Sequence, residues 1–208
     1  MNIPIVYEDD WLLAADKPSG LLVVPTPKKE SRTLTTILND DAACNNKPYR
    51  LFPCHRLDRE TSGLIIYAKG RAVEKKMIEL FKNRQIKKTY FALVAGCPSK
   101  NTGRITNPIE GKSALTNYCV REKKEGFSVL EVKPLTGRTN QIRIHLKQLG
   151  YPVLGENKYA FRRDFKVKAK RLCLHAQKLE FFHPVSAKPL CLEAGLPQDL
   201  REFLRARR

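Results

Sequence analysis

His55-Arg56-Leu57-Asp58-Arg59-Glu60-Thr61-Ser62-Gly63 runs directly into Leu64-Ile65-Ile66-Tyr67-Ala68. The second half is apolar, β-branched and aromatic, and reads as a buried strand that stops near Gly70. The first half is the densest polar cluster in the chain and reads as the loop that feeds this strand. Such a loop can hold a side chain at a fixed place above a sheet. Asp58 lies between Arg56 and Arg59, and nearby cations keep a carboxylate ionised and depress its pKa. An ionised, oriented carboxylate can serve as nucleophile or base. The competing reading is an Asx-turn, with Asp58 bonded to nearby backbone and Thr61 or Ser62 helping. The residues alone leave both open.

Working outward, strands are expected at 3–7 and 11–16, then a Lys17-Pro18-Ser19-Gly20 turn and a short apolar run, Leu21 to Val24, ended by Pro25 and Pro27. Arg32 to Leu38 reads as a helix and 39–50 as irregular. Arg71 to Arg84 gives the clearest helical pattern, with Val73, Met77, Leu80 and Phe81 recurring at three- and four-residue steps. Strands follow at 89–95, 115–121, 127–133, 172–182 and 190–194. A helix is expected at Thr139 to Leu149 with Thr139 as N-cap, and another from Leu196 to Ala206. Strands outnumber helices and several have hairpin-length connections. The expected fold class is α+β on a mixed, mainly antiparallel sheet, with residues 1–208 as a single domain.

Composition narrows the partners. Lys and Arg number 39 against 21 Asp and Glu, a net +18 among 208 residues, and such self-repulsion usually has an anionic partner that offsets it. No run of about 18 apolar residues exists, so no membrane span is expected. The opening residues hold Glu8, Asp9 and Asp10 and no basic region before an apolar run, unlike a secretory signal. Cys44, Cys54, Cys97, Cys119, Cys173 and Cys191 lack zinc-ligand spacing and read as reduced core thiols of a cytoplasmic protein. The stretch Lys158 to Arg171 interleaves Tyr159, Phe161 and Phe165 with lysines and arginines, which suits nucleic-acid contact as well as a solvated loop.

Two further clusters carry polar chemistry. In Gly137-Arg138-Thr139-Asn140-Gln141-Ile142-Arg143-Ile144-His145, Arg143 and Lys147 fall on one helical face opposite the apolar one. Arginine suits two-point pairing with carboxylate or phosphate, so Arg138, Arg143 and Lys147 are candidate substrate contacts; a solvated basic face is the alternative. In Lys87-Lys88-Thr89-Tyr90-Phe91 the tyrosine either stacks on a base or packs in the core. His175 reads as a core histidine. Phosphate-loop, dinucleotide and zinc-protease signatures are missing.

At these clusters the chain resembles the RluA family of RNA pseudouridine synthases. The likeness rests on HRLDRETSGLIIYAK, KKTYFALVAG, TGRTNQIRIHL and LCLHAQKLEF, in that order, and on the opening VYEDDWLLAADKPSGLLVVP. It implies a sheet bisected by a catalytic cleft with flanking helices. It implies that Asp58 is the catalytic aspartate, Tyr90 the active-site tyrosine and Arg143 the arginine that pairs with the aspartate. Arg56 would help displace the target base, and Leu174 would line the pocket. The reaction detaches uracil from its sugar, rotates it and rejoins it through carbon 5, with no cofactor and no metal. The pattern starts within the first ten residues, like the short members that act on transfer RNA, ribosomal RNA or both. A monomer acting on an RNA stem-loop is expected. Two other classes fit the residues less well: a non-catalytic RNA-binding module, for which Asp58 would be dispensable, and a metal-dependent phosphodiesterase using Asp58 and Glu60.

Overall fold

A computed structural model describes residues 2–28, 30–161, 163 and 165–207. In chain order its elements begin β1 (Ile5–Glu8), β2 (Leu12–Lys17), α1 (Leu34–Cys44), β3 (Leu51–Pro53), β4 (Ser62–Lys69) and α2 (Arg71–Lys82). They continue with β5 (Lys87–Ala95), β6 (Thr102–Ile105), β7 (Thr116–Lys124), β8 (Phe127–Pro134) and α3 (Gln141–Gln148). The last are β9 (Leu174–Phe182), β10 (Pro189–Glu193) and α4 (Gln198–Arg205). The chain forms two compact units, unit 1 from residues 1–87 and 178–194 and unit 2 from 88–177 and 195–208.

Unit 1 is built around β4. Its antiparallel partners are β2, from Leu12↔Ala68 to Lys17↔Gly63, and β3, from Leu51↔Lys69 to Pro53↔Tyr67. Side chains alternate along a strand, and both faces of β4 are covered. Leu64, Ile66 and Ala68 join Val73 and Met77 of α2 in one core cluster. On the other face the Tyr67 hydroxyl lies 3.1 Å from that of Thr35 in α1. This is why the apolar run does not alternate with polar residues. β1 extends the sheet as a hairpin with β2, and β10 pairs antiparallel with the later part of β9.

Unit 2 is a second antiparallel array. β5 pairs with β8 from Tyr90↔Val132 to Ala95↔Phe127, β8 with β7, and β7 with β6. Leu93, Leu130, Leu146 and Leu154, all fully buried, form the centre of its core. α4 closes on it with Leu200 buried and Phe203 set edge-on to Phe127 at 5.7 Å. The fold class is α+β on a mixed, mainly antiparallel sheet.

Several local expectations need correction. The first helix runs on through residues read as irregular, because Leu34, Leu38 and Ala42 recur every four residues and are buried while Asp40 and Asp41 face solvent. Polar residues on the exposed side of an amphipathic turn look like a loop when read singly. Thr33 caps this helix, exchanging hydrogen bonds with Thr36 in a capping box. The apolar run Leu21 to Val24 supports the same helix, the carbonyls of Leu22 and Val23 accepting the first N–H groups of α1 at 2.8 and 3.1 Å. The edge strands β3 and β6 were not expected, being three and four residues long. The N-cap of α3 is Asn140 rather than Thr139.

Candidate active site

In unit 1, residues 54–61 connect β3 to β4 and carry Asp58 half-buried and Arg56 exposed. The turn Lys17-Pro18-Ser19-Gly20 holds this loop by its backbone. Lys17 ends β2 and is fully buried; its ammonium donates to the carbonyls of Pro18, Leu21 and Arg59 at 2.9, 2.7 and 3.0 Å. The Ser19 hydroxyl donates to the Glu60 carbonyl at 2.6 Å, and Gly20 N–H to the Arg59 carbonyl at 2.8 Å. Gly20 has φ +87, a conformation costly for a residue with a Cβ. The Arg59 side chain returns the contact through Nε to the Gly20 carbonyl at 3.1 Å. His55 Nε2 accepts the Ile66 N–H at 3.0 Å, and its ring lies on Phe81 with centroids 4.5 Å apart. Asp58 therefore sits on a backbone fixed at both flanks, one residue before the doubly held carbonyl of Arg59.

Thr61 N–H closes a turn onto the Asp58 carbonyl at 3.1 Å. The Thr61 hydroxyl does not help that turn; among the described residues it is buried with no hydrogen-bond partner. Leaving a buried hydroxyl unpaired costs about 1–3 kcal/mol.

In unit 2, Tyr90 stands on β5 opposite Val132 and is half-buried against the core that contains Leu174, itself buried on β9. His175 is fully buried beside it in sequence. Lys88 lies two residues before Tyr90, donates to the Thr136 carbonyl at 3.3 Å, and is pulled below the ordinary lysine pKa by burial.

Arg143 is not on a solvated face: the residue is 3% exposed. Its guanidinium grips Glu156 with two parallel bonds, Nε to Oε2 and Nη2 to Oε1, both 2.7 Å. Nη1 donates to Asn140 Oδ1 at 3.1 Å. Burial by itself would raise the Glu156 pKa. The bonds from Arg143 and from the Lys158 and Tyr159 backbone N–H groups outweigh it and hold the carboxyl below its usual range. Lys147, on the same helix, stays half-exposed.

α3 is buried on more than its apolar side because each inward polar group has a partner. Gln141 donates to the Leu115 carbonyl and the Thr116 hydroxyl at 2.9 and 3.0 Å, and accepts from the Thr136 hydroxyl at 2.6 Å. His145 is set between the Thr116 hydroxyl at 2.8 Å and the Asn107 carbonyl at 2.9 Å. Burial lowers its pKa against the opposing effect of the Asn107 carbonyl. Arg138 is half-buried, its Nε donating to the Ser113 carbonyl at 3.0 Å.

The stretch beginning at Lys158 divides by role. Tyr159 is half-buried and accepts a bond from Asn140 Nδ2 at 2.8 Å. Phe165 belongs to the core. Phe161 is 67% exposed, with the Arg163 guanidinium 5.1 Å from its ring centre. Arg162 and Asp164 lie outside the described residues. The cysteines divide too: all six are free, with Cys54 and Cys173 buried, Cys119 half-buried and Cys44, Cys97 and Cys191 exposed, so the expectation of core thiols holds for only part of the set. Cys191 is exposed because it falls on the outward side of β10.

Glu156 is the site residue that sequence reading missed. A signal existed: Gly155-Glu156 is a lone acid placed directly before a basic stretch. Gly155 is required because a Cβ there would collide with the Arg171 carbonyl, and its φ is +77. Among the described residues no three His, Cys, Asp or Glu side chains are grouped to hold a metal ion, and no helix is long and apolar enough to cross a membrane.

Residues 11–148 match the model of the RNA pseudouridylate synthase family, and the chain belongs to that family. The dual-specificity RNA pseudouridine synthase RluA of Vibrio cholerae is 36% identical over an alignment that covers 88% of this chain and 79% of that protein. The ribosomal large subunit pseudouridine synthase D of Xylella fastidiosa is 33% identical over an alignment that covers 99% of this chain and 70% of that one. Among solved structures, human RNA pseudouridylate synthase domain containing 4 superposes with a TM-score of 0.82 at 26% identity, covering 97% of this chain and 91% of that chain. The chain is accordingly a pseudouridine synthase, an isomerase that acts on RNA.

Proposed function

We propose that the enzyme isomerises uridines in structured ribosomal or transfer RNA, with Asp58 as its catalytic aspartate, Tyr90 as its active-site tyrosine and Arg143 as its catalytic arginine. The observation that carries this reading is the support of the Asp58 loop. A carboxylate whose backbone is held by a buried ammonium and a half-buried hydroxyl bond loses little freedom on meeting substrate, which is the form of preorganisation that covalent or electrostatic catalysis needs. Isomerisation moves a glycosidic bond from nitrogen to carbon within one nucleotide, so the demands on the protein are an ionised carboxylate, a place to hold the detached base and a grip on the RNA backbone.

Arg56 is proposed to fill the space of the displaced base. Its exposure, two residues from Asp58, suits a side chain that meets RNA first. Leu174 is proposed to line the base pocket. Arg138, Lys147 and the stretch from Lys158 are proposed to bind phosphates, which offsets part of the few kcal/mol needed to unstack the uridine. The names of the Vibrio cholerae and Xylella fastidiosa relatives support ribosomal RNA and more than one target. A hairpin loop is the expected context, because its bases splay out cheaply. Six free thiols fit a reducing compartment such as the cytoplasm.

The test is to incubate the enzyme, and separately its Asp58→Asn variant, with bulk RNA from cells lacking it and to map new pseudouridines chemically. New sites in hairpin loops of ribosomal or transfer RNA, made only by the unsubstituted enzyme, are expected. Equal modification by both proteins removes Asp58 from the mechanism. Modification confined to other RNA classes overturns the substrate reading.

A further inference from the structure

We propose that Glu156 is a positioning residue for Arg143, and that through Asn140 and Tyr159 it ties the basic stretch from Lys158 onward to the orientation of that guanidinium. The proposal rests on the reading of Arg143 as the catalytic arginine. All the residues it uses lie within unit 2.

The geometry leaves the guanidinium little freedom. Two parallel bonds to one carboxylate fix both its plane and its rotation, which a single bond would not do. Asn140 Oδ1 holds the remaining terminal nitrogen. The Asn140 amide is oriented in turn, because its Nδ2 donates to the Tyr159 hydroxyl. Asn140 is 9% exposed and sits at φ 53 and ψ 23, in the left-handed region, with no capping bond from its side chain to α3. Asparagine enters that region more readily than other residues with a side chain. Here both ends of its amide are engaged, one with Arg143 and one with Tyr159.

Glu156 is also the first link of the basic stretch. Its Oε1 accepts the backbone N–H groups of Asn157 and Lys158 at 3.0 and 2.8 Å, as well as the Arg143 bond. The Arg143 guanidinium lies 5.5 Å from the centre of the Tyr159 ring. One carboxylate therefore sets where the stretch departs and which way the arginine points. RNA phosphates that engage the stretch and the arginine used in the reaction share a single anchor.

The experiment compares single-turnover rates and RNA affinities for Glu156→Gln, Arg143→Lys, the double variant and Tyr159→Phe, each checked for folding by circular dichroism. Glu156→Gln is expected to slow turnover about 100-fold while leaving RNA affinity within about threefold, because it disturbs orientation more than phosphate binding. In the Arg143→Lys background the same substitution should cost almost nothing more, since residues acting as a unit are non-additive. A full additive loss, or a rate loss that only follows the unfolded fraction, would mean that Glu156 is structural and overturns the proposal. If Arg143→Lys turns over normally, the reading of Arg143 as catalytic fails first. If Arg143→Lys is slow and Glu156→Gln is normal, only the positioning role fails. Tyr159→Phe removes one hydroxyl and no charge, and it stands in if Glu156→Gln does not fold. A roughly threefold to tenfold rate loss at unchanged affinity is expected, and an unchanged rate overturns the link to the stretch.

Discussion

The two units solve the same problem with opposite charges. In unit 1 a buried cation, Lys17, gathers backbone carbonyls and so fixes the loop of Asp58. In unit 2 a buried anion, Glu156, gathers backbone N–H groups and a guanidinium and so fixes Arg143. Their sequences differ in net charge as well. Unit 1 has 17 Lys and Arg against 13 Asp and Glu, a net +4, whereas unit 2 has 22 against 8, a net +14. Most of the net charge thus belongs to the unit whose key internal anchor is an acid. A buried charge is stable only with partners, so each unit uses the sign that its target groups demand, whatever its surface carries.

The comparison breaks most sharply at Asp58. On the proposed role of Asp58, Asp58→Asn should reduce turnover by about three orders of magnitude or more, with RNA affinity within a few-fold, because a near-isosteric amide removes the charge and leaves the proposed phosphate contacts in place. Single-turnover kinetics beside filter binding check this. A parallel loss of both would place RNA binding in unit 1.

Next in size is the cation of unit 1. Lys17→Met keeps the length of the side chain and removes the donor to three carbonyls. Chemical denaturation should show a loss of about 3 kcal/mol, the scale of charge-assisted bonds whose buried acceptors are then left unpaired. A stability within about 0.5 kcal/mol of the parent would show that water replaces the ammonium and that the loop is held by other bonds.

Surface charge gives a smaller, graded effect. Replacing Lys158, Lys166, Lys168 and Lys170 of unit 2 by alanine should flatten the dependence of log affinity on log salt. The slope should change by about 0.7 for each single-stranded phosphate that the variant no longer neutralises. Replacing the exposed Lys75, Lys76 and Lys82 of α2 in unit 1 should leave the slope nearly unchanged. Equal changes in the two sets would mean that both units grip the RNA.

The smallest effect is expected in acid. Glu156 is held below the usual carboxylate range against its burial, and Asp199 is held low chiefly by its bond from Arg171. A carboxyl with a depressed folded pKa contributes stability that is present above its unfolded pKa and is lost as pH falls through the folded value. Urea midpoints should therefore be flat near neutrality and decline below about pH 4. Glu156→Gln should decline less steeply than the parent.

How much of this could be read in advance depends on whether the signal was local. Leu64 to Ala68 and the helical recurrence of Val73, Met77, Leu80 and Phe81 were legible because burial on both faces, or on one stripe, shows directly in residue type. The extension of α1 was not, since Asn39-Asp40-Asp41 is polar for the same reason that any exposed helix face is. Asp58 stood out through its neighbours and the family likeness. Glu156 carried only the faint mark of a lone acid beside a basic stretch, because its meaning lies in Arg143, thirteen residues earlier. The surroundings of Arg143 were hidden for the same reason. Helical spacing identified the side opposite Ile142 and Leu146, but only tertiary packing shows that this side is filled by a carboxylate.

The left-handed residue at the head of α3 bears on redesign of this enzyme. A protocol that ranks substitutions by backbone comfort would choose glycine at Asn140, since φ 53 suits glycine best. The relief of backbone strain would come with loss of the amide that Arg143 and Tyr159 share, and the buried guanidinium nitrogen left unpaired would cost as much or more. Backbone comfort and side-chain pairing are thus set against each other at one codon, and a choice made on φ alone would give a catalyst that is slower and no sturdier.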